Sequence, residues 1–329
     1  MYDERAGNTL TNKPSIDMTI VYKNAPKFFL LGSLVAVIIV MTLLNSRFLT
    51  LGNIINISRH MSINMIIAVG MTFCLISAGM DLSVGSVGIV AGCLAGVIMA
   101  QTANIPLAVG AGILSGIFFG YINGVVIAKL RVNPFVTTLA TMTIARGIAL
   151  LITGGNIISD LPDAFNIIGV GFVSGIPIPV IIMVIVVILG HLLLSKTEFG
   201  LNTYAIGGSE KAARLAGLKN ERVIIKIYIL SGFLAALAGL ILTARVVSAQ
   251  PNLMMTTNLD VIAAVVVGGT SLMGGSGSMV STVLGSTLMA ALFNGLNIVG
   301  VGYEWQLIVI GTILIVAVSL DMLSRKKDI

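Results

Sequence analysis

The sequence is poor in charge. Only 10% of its 329 residues are Asp, Glu, Lys or Arg, against roughly 25% in soluble proteins. A cytosolic enzyme, a disordered scaffold and a nucleic-acid binder all need more polar surface than this, so the composition excludes them. Cysteine and histidine are scarce, at two residues each. Cys74 and Cys93 fall inside apolar runs with no second ligand at metal spacing, and they read as buried free thiols. His60 and His191 stand far apart, with neither Glu nor Cys at ligand spacing. His-Glu-x-x-His and nucleophile-elbow patterns are missing too, which removes an intramembrane hydrolase. No Gly is followed by Lys anywhere, so the chain lacks the phosphate-cradling loop of a P-loop ATPase. Any ATP-driven action has to draw on a motor in another chain.

Apolar surface and glycine are abundant instead. Hydrophobic residues make up 57% of the chain, and its 37 glycines are about 11% of it, against a usual ~7%. A helix crosses a bilayer with ~20 apolar residues at 1.5 Å each. That ruler gives ten spans, at 28–44, 61–79, 84–101, 105–129, 133–153, 177–194, 223–247, 259–273, 279–299 and 304–321. The first follows a polar stretch and ends in Asn45-Ser46-Arg47 without a small-x-small cleavage site. It therefore reads as a retained span and not a signal peptide. The expectation is an all-α polytopic membrane helix bundle of ten helices with both termini cytoplasmic. Residues 1–27 form a cytoplasmic tail, 28–321 a single membrane domain with an inner loop at 195–222, and 322–329 a second tail. The inner segments of this arrangement hold 15 of the 19 Lys and Arg, as the positive-inside rule requires.

Glycine recurs at helical spacing. Gly88, Gly92 and Gly96 lie four apart in the third span, and Gly112, Gly116, Gly120 and Gly124 in the fourth; Ser231, Ala235 and Gly239 do the same in the seventh. Such stripes let helix backbones approach closely in lipid. Two glycine-rich stretches, Gly79–Ser86 and Gly268–Gly277, interrupt apolar regions, one in each half of the chain. They read either as tight inner turns or as the discontinuous helices of a transporter built from two repeat-like halves. In the inner loop, Ser209 stands as an N-cap before Glu210-Lys211-Ala212-Ala213-Arg214-Leu215-Ala216, and Gly217 as a stop. A helix this short is marginal alone in water. It is either a solvated connector or a docking knob for a cytoplasmic partner.

Longer segments carry a resemblance. Ala68-Val69-Gly70-Met71-Thr72, Gly79-Met80-Asp81-Leu82-Ser83-Val84-Gly85-Ser86 and Asn133-Pro134-Phe135-Val136-Thr137-Thr138-Leu139 are followed by Ala205-Ile206-Gly207-Gly208 and Ala212-Ala213-Arg214-Leu215-Ala216-Gly217. Next come Ala249-Gln250-Pro251, the run from Asp260 to Leu272, and Asn294-Gly295-Leu296. In this order, over about 45–320, the chain resembles the membrane permease of bacterial ABC sugar importers of the ribose type. The resemblance implies a multi-pass protein of the bacterial inner membrane, working with a second permease copy, ABC ATPase subunits and a soluble sugar-binding protein. ATP and Mg²⁺ would sit on the ATPase, with no cofactor in this chain and no nucleic-acid partner. It also implies that residues 205–218 are the coupling helix, with Gly208, Ser209, Glu210, Ala213, Arg214 and Gly217 at the contact. A related branch imports branched-chain amino acids, so a permease for these, or for a nucleoside, is the neighbouring reading. A stand-alone secondary carrier is a third, but it would need a coupling carboxylate in the bilayer, where acids are nearly absent.

Polar residues within spans are expected to face the bundle or water. Asn64, Asn294, Asn297, Trp305 and Gln306 lie near outer helix ends, where amides can bond sugar hydroxyls. They read as a sugar vestibule, as glue between helices, or, for Trp305, as an interface anchor. Asp81 and Asn123 lie toward the inner exit, with Asp81 read first as a cap of the following helix. Arg146 stands in mid-span and needs a partner or a water-filled cavity; Asp260 is the candidate partner for a structural ion pair.

Overall fold

The structure, a computed structural model, describes residues 18–325. It is helical almost throughout. The long helices are α1 (Met18–Leu44), α2 (Leu51–Ile76), α3 (Val84–Thr102), α4 (Ile105–Ala128) and α5 (Pro134–Thr153). A short α6 (Asp163–Val170) and a hairpin of two-residue strands, β1 (Phe172–Val173) and β2 (Ile176–Pro177), lead into α7 (Ile178–Lys196). Then come α8 (Glu198–Gly208), α9 (Glu210–Leu215), α10 (Asn220–Val246), α11 (Thr257–Val267), α12 (Met279–Val299) and α13 (Tyr303–Arg325).

Among the described residues, seven helices are long and apolar enough to cross a membrane: α2, α3, α4, α5, α7, α10 and α12. Shorter apolar stretches lie in α1, α11 and α13. The expected eighth span, 259–273, shortens to the 11 residues of α11. The cause is the glycine stretch after it, where Gly269, Gly274 and Gly275 all have positive φ, a conformation that ends a helix. Two helices begin earlier than the apolar runs suggest: α1 enters the stretch read as a tail, and α2 starts at Leu51. Their first turns carry polar residues that a hydropathy ruler does not see. Most of the two expected tails, 1–17 and 326–329, lies outside the described residues.

At the centre of the bundle is α10, packed against α4, α3 and α2. The glycine stripes make these crossings. A Cβ on Gly116 would overlap the carbonyl oxygen of Gly232, one on Gly120 that of Tyr228, and one on Gly239 that of Gly88. Backbones in such contact form a fixed packing surface, as small-residue stripes do in lipid. Both thiols, Cys74 and Cys93, are buried and free.

Candidate functional site

The chain between α2 and α3 contains the first glycine stretch, and a buried polar knot forms there. Asp81 is 1% exposed. Its Oδ1 accepts from the Ser83 amide at 2.9 Å and hydroxyl at 2.5 Å, and its Oδ2 accepts from the Ser231 hydroxyl of α10 at 2.7 Å. Asn123 of α4 donates to the Ser83 hydroxyl at 3.0 Å and accepts from Thr141 of α5 at 2.6 Å. The Tyr228 hydroxyl of α10 donates to the Met80 carbonyl at 3.2 Å. Burial pushes the Asp81 carboxyl above the usual carboxylate range, and the hydrogen bonds from Ser83 and Ser231 oppose that rise. Asp81 thus closes the turn before α3, and it shares with Asn123 one network tying the break to α4, α5 and α10.

The second glycine stretch packs against the end of α2 and against α8. The Gly275 amide donates to the Ile76 carbonyl at 2.9 Å, and the Tyr204 hydroxyl of α8 donates to the Gly277 carbonyl at 2.8 Å. Gly207 fits between the two breaks. A Cβ there would overlap the Ile76 carbonyl oxygen and lie 2.6 Å from the Gly275 nitrogen. The helix before Ser209 thus touches the ends of both interrupted regions.

From that anchored end, α9 projects with the capping its sequence suggests. The Ser209 hydroxyl accepts from the Ala212 amide at 3.2 Å. Gly217 takes φ +85°, with Gly217 N–H donating to Arg214 and Leu218 N–H to Ala213, at 3.0 and 3.1 Å. Arg214 pairs with Glu210 at 2.9 Å on the surface, a contact of little energetic weight. Asn220 at the start of α10 donates to the Glu210 carbonyl at 2.8 Å and fixes the direction of α9. Ala213, expected at the partner contact, is turned into the chain's own core at 4% exposure, while Leu215 is 82% exposed. The outward face is therefore Glu210, Lys211, Arg214 and Leu215. A cavity of about 660 Å³ opens beside it, lined by Ser77, Gly79, Arg131, Lys211, Arg214 and Tyr228 among others.

The amides at the other helix ends bond to neighbouring helices. Asn294 Oδ1 accepts from Asn53 of α2 at 2.8 Å. Asn297 Oδ1 accepts from Gln306 of α13 at 3.0 Å, and Gln306 also donates to the Val301 carbonyl at 3.1 Å. Asn294 and Asn297 thus hold α12 to different helices. Asn64 is half-buried on α2, and Trp305 is exposed. The expected Arg146–Asp260 ion pair is not made. The helix carrying Asp260 packs chiefly on α12, α2 and α13, and Asp260 Oδ1 is buried without a hydrogen-bond partner. Arg146 lies on an exposed face of α5, with the Met255 sulfur 3.8 Å from its Nη2.

Ser209 and Gly217 cap α9 as the sequence suggests, but Asp81 is not the cap of α3: Ser83 holds that position, and Asp81 braces it from two residues before while bonding Ser231. Sequence reasoning missed α8 and Gly207. The signal was present: Thr197 before Glu198, its hydroxyl accepting from the Gly200 amide at 3.3 Å, is the same cap pattern as Ser209 before Glu210.

Comparison with known proteins bears on the family. A family model described as a branched-chain amino acid transport system/permease component matches residues 53–318. The chain is 46% identical to the ribose import permease protein of Bacillus subtilis (strain 168) over 300 residues, covering 91% of this chain and 92% of that protein. It is 40% identical to the L-arabinose transport system permease protein of Escherichia coli (strain K12), covering 85% of each. With the xylose transport system permease protein of Haemophilus influenzae it shares 33% identity, over 89% of this chain and 96% of that protein. No solved structure matches the chain. The chain is a multi-pass membrane subunit whose ATPase resides on a separate chain, and it belongs to the family of ABC importer permeases, on the side that moves sugars.

Proposed function

We propose that this permease carries a five-carbon monosaccharide inward, handed over by a soluble binding protein and driven by ATPase subunits docked on α9. The relatives named for ribose, L-arabinose and xylose all concern pentoses, which favours that class over an amino acid or a nucleoside. The chain then acts as one membrane domain over 28–321. It has ten spans in two repeat-like halves, both termini inside, a cytoplasmic coupling loop at 195–222 and a second permease copy beside it. Of the expected coupling residues, Gly208, Ser209 and Gly217 shape the segment, and Glu210 and Arg214 face the ATPase. Ala213 anchors the segment from within. Asp81 and Asn123 belong to the inner end of the moving parts.

The observation that supports this reading is the position of Gly207. It wedges the base of α9 against both glycine breaks, so a push on α9 reaches the two interrupted helices through backbone contacts, without a flexible side chain between. An exposed Leu215 at the tip supplies the apolar anchor that a docking groove needs. The test is uptake of labelled ribose, arabinose and xylose into proteoliposomes holding the permease, its ATPase and its receptor. Uptake requiring both ATP and receptor is expected. Uptake that follows an ion gradient without ATP would overturn the reading. Leu215→Asp is expected to abolish co-purification of the ATPase, and undiminished co-purification would remove α9 as the dock.

A further inference from the structure

The cavity of about 660 Å³ beside α9 is walled by three separate parts of the chain. Ser77 and Gly79 come from the break after α2, Arg131 and Asn133 from the turn between α4 and α5, and Lys211 and Arg214 from α9. Its charged lining is Arg131, Lys211, Arg214 and Glu210. Glu210 is already engaged with Arg214, and among the described residues no carboxylate pairs with Arg131 or Lys211. Three cations thus stand against one acid, an excess of two positive charges. Arg131 is held at φ +55°, a left-handed conformation that glycine takes freely and a residue with a Cβ does not. Asn133 adds a donor, since its Oδ1 accepts from the Phe135 amide at 2.8 Å and its NH₂ group is left to donate.

We propose that this cavity binds a phosphate ester, and that the anion, bridging Arg131 to Lys211 and Arg214, ties α9 to the α4–α5 turn and slows import. The inference rests on the permease reading and adds a regulator of the dock. Helix α9 packs chiefly on α8 and α10, and the cavity separates it from the α4–α5 turn. A bridge across that space restrains a segment that has to move with the ATPase. A phosphate monoester carries about −1.5 to −2 charges at pH 7, which matches the excess, and its oxygens suit guanidinium N–H forks. A neutral pentose lacks that charge and leaves the site empty. Cells retain such a sugar by transfer of a phosphoryl group from a nucleoside triphosphate to a sugar hydroxyl, which releases the nucleoside diphosphate and a proton. The phosphorylated sugar then signals that supply exceeds use. A phospholipid headgroup of the inner leaflet offers the same phosphate chemistry, with Ile127, Val132 and Ile224 of the lining as a wall for its acyl chain.

The test uses the whole permease–ATPase complex, free of nucleotide, in nanodiscs. One arm titrates ribose 5-phosphate into discs of phosphatidylcholine and reads binding by calorimetry. The other uses discs containing phosphatidylglycerol and reads retained lipid by native mass spectrometry. In one arm the parent is expected to bind and Arg131→Gln to bind about tenfold more weakly, as loss of a charged hydrogen-bond partner dictates, with Arg131→Lys between them. Binding in the first arm identifies a soluble phosphate, and in the second a headgroup. Any sugar phosphate taken by the ATPase is common to parent and variant, so the difference reports on this cavity. In proteoliposomes the ligand that binds is expected to lower uptake severalfold in the parent and to leave Arg131→Gln, whose basal uptake is unchanged, unaffected. Equal binding by parent and Arg131→Gln in both arms would overturn the proposal, as would uptake indifferent to a ligand that binds. Loss of the ATPase from Arg131→Gln on purification would also overturn it, by giving the cavity to an acidic side chain of that partner. An absence of ATP-driven uptake in the parent would strike the permease reading instead, while the binding arms still decide the site.

Discussion

Adding one methyl group at Gly207 probes the junction where α8 meets both glycine breaks. A Cβ there would overlap the Ile76 carbonyl oxygen and stand 2.6 Å from the Gly275 nitrogen, and both neighbours are backbone, joined to each other by a 2.9 Å hydrogen bond. Neither can rotate aside, so α8 must retreat by on the order of 1 Å to reach ordinary contact distance. Overpacking of this kind costs about 1–3 kcal/mol. Losing the Gly275–Ile76 bond would add about 0.5–1.5 kcal/mol, and the better helix propensity of Ala returns about 1 kcal/mol. The net is a loss of about 1–3 kcal/mol for Gly207→Ala. Gly208 is the internal control, because a Cβ there meets nothing within 4 Å. Thermal unfolding in detergent is expected to show a midpoint several degrees lower for Gly207→Ala and equal or slightly higher for Gly208→Ala, which gains helix propensity without a clash. In the assembled complex, Gly207→Ala is also expected to lower the sugar imported per ATP consumed. If the two variants melt together and Gly207→Ala imports normally, the reasoning about a tight junction is wrong.

Three further outcomes are expected. Asp81→Ala orphans the Ser231 hydroxyl and the Ser83 amide, at about 1–3 kcal/mol each. Adding Ser231→Ala should recover part of that loss in a double-mutant cycle of thermal stability, and purely additive effects would deny the bond. Asn294→Leu removes the Asn53 contact and is expected to reduce complex yield by about 0.5–1.5 kcal/mol of stability while leaving uptake per assembled complex intact. A fall in uptake at unchanged yield would return Asn294 to the solute path. A cysteine introduced by Ser159→Cys should react with an impermeant thiol reagent added outside cells, and one introduced by Lys219→Cys should not. The reverse pattern would invert the topology.

Local rules made much of this molecule readable in advance. The cap at Ser209 and the stop at Gly217 depend on residues within a few positions of themselves, and both were legible. The glycine stripes were legible as close-packing faces, because a four-residue spacing means one side of a helix whatever lies opposite. Which helix lies opposite was not: nothing around Gly120 names Tyr228 as its neighbour. The outer amides show the same limit. Asn294 and Asn297 share a helix face three residues apart, yet one bonds Asn53 and the other Gln306, because the destination of a side chain depends on helices distant in sequence. Arg146 and Asp260 failed as a pair for that reason. Helix α8 went unseen for a different one, its three glycines and mixed polarity giving no clean period even though Thr197 marks its start.

The seat of α9 has a consequence for how the protein is made. Its floor consists of Ile76, Tyr204, Gly207, Gly275 and Gly277, residues drawn from early, middle and late parts of the chain. A ribosome delivers these in order at about 5–20 residues per second, so the coupling segment emerges well before Gly275 and Gly277 exist to brace it. Until then α9 has its caps but lacks half of its support. The seat of α9 is thus finished only as α12, which follows Gly275 and Gly277 directly, is being laid into the membrane. Under the docking proposed above, a permease lacking these residues presents a loose dock, and assembly with the ATPase becomes a check that Gly275 and Gly277 have been made and seated.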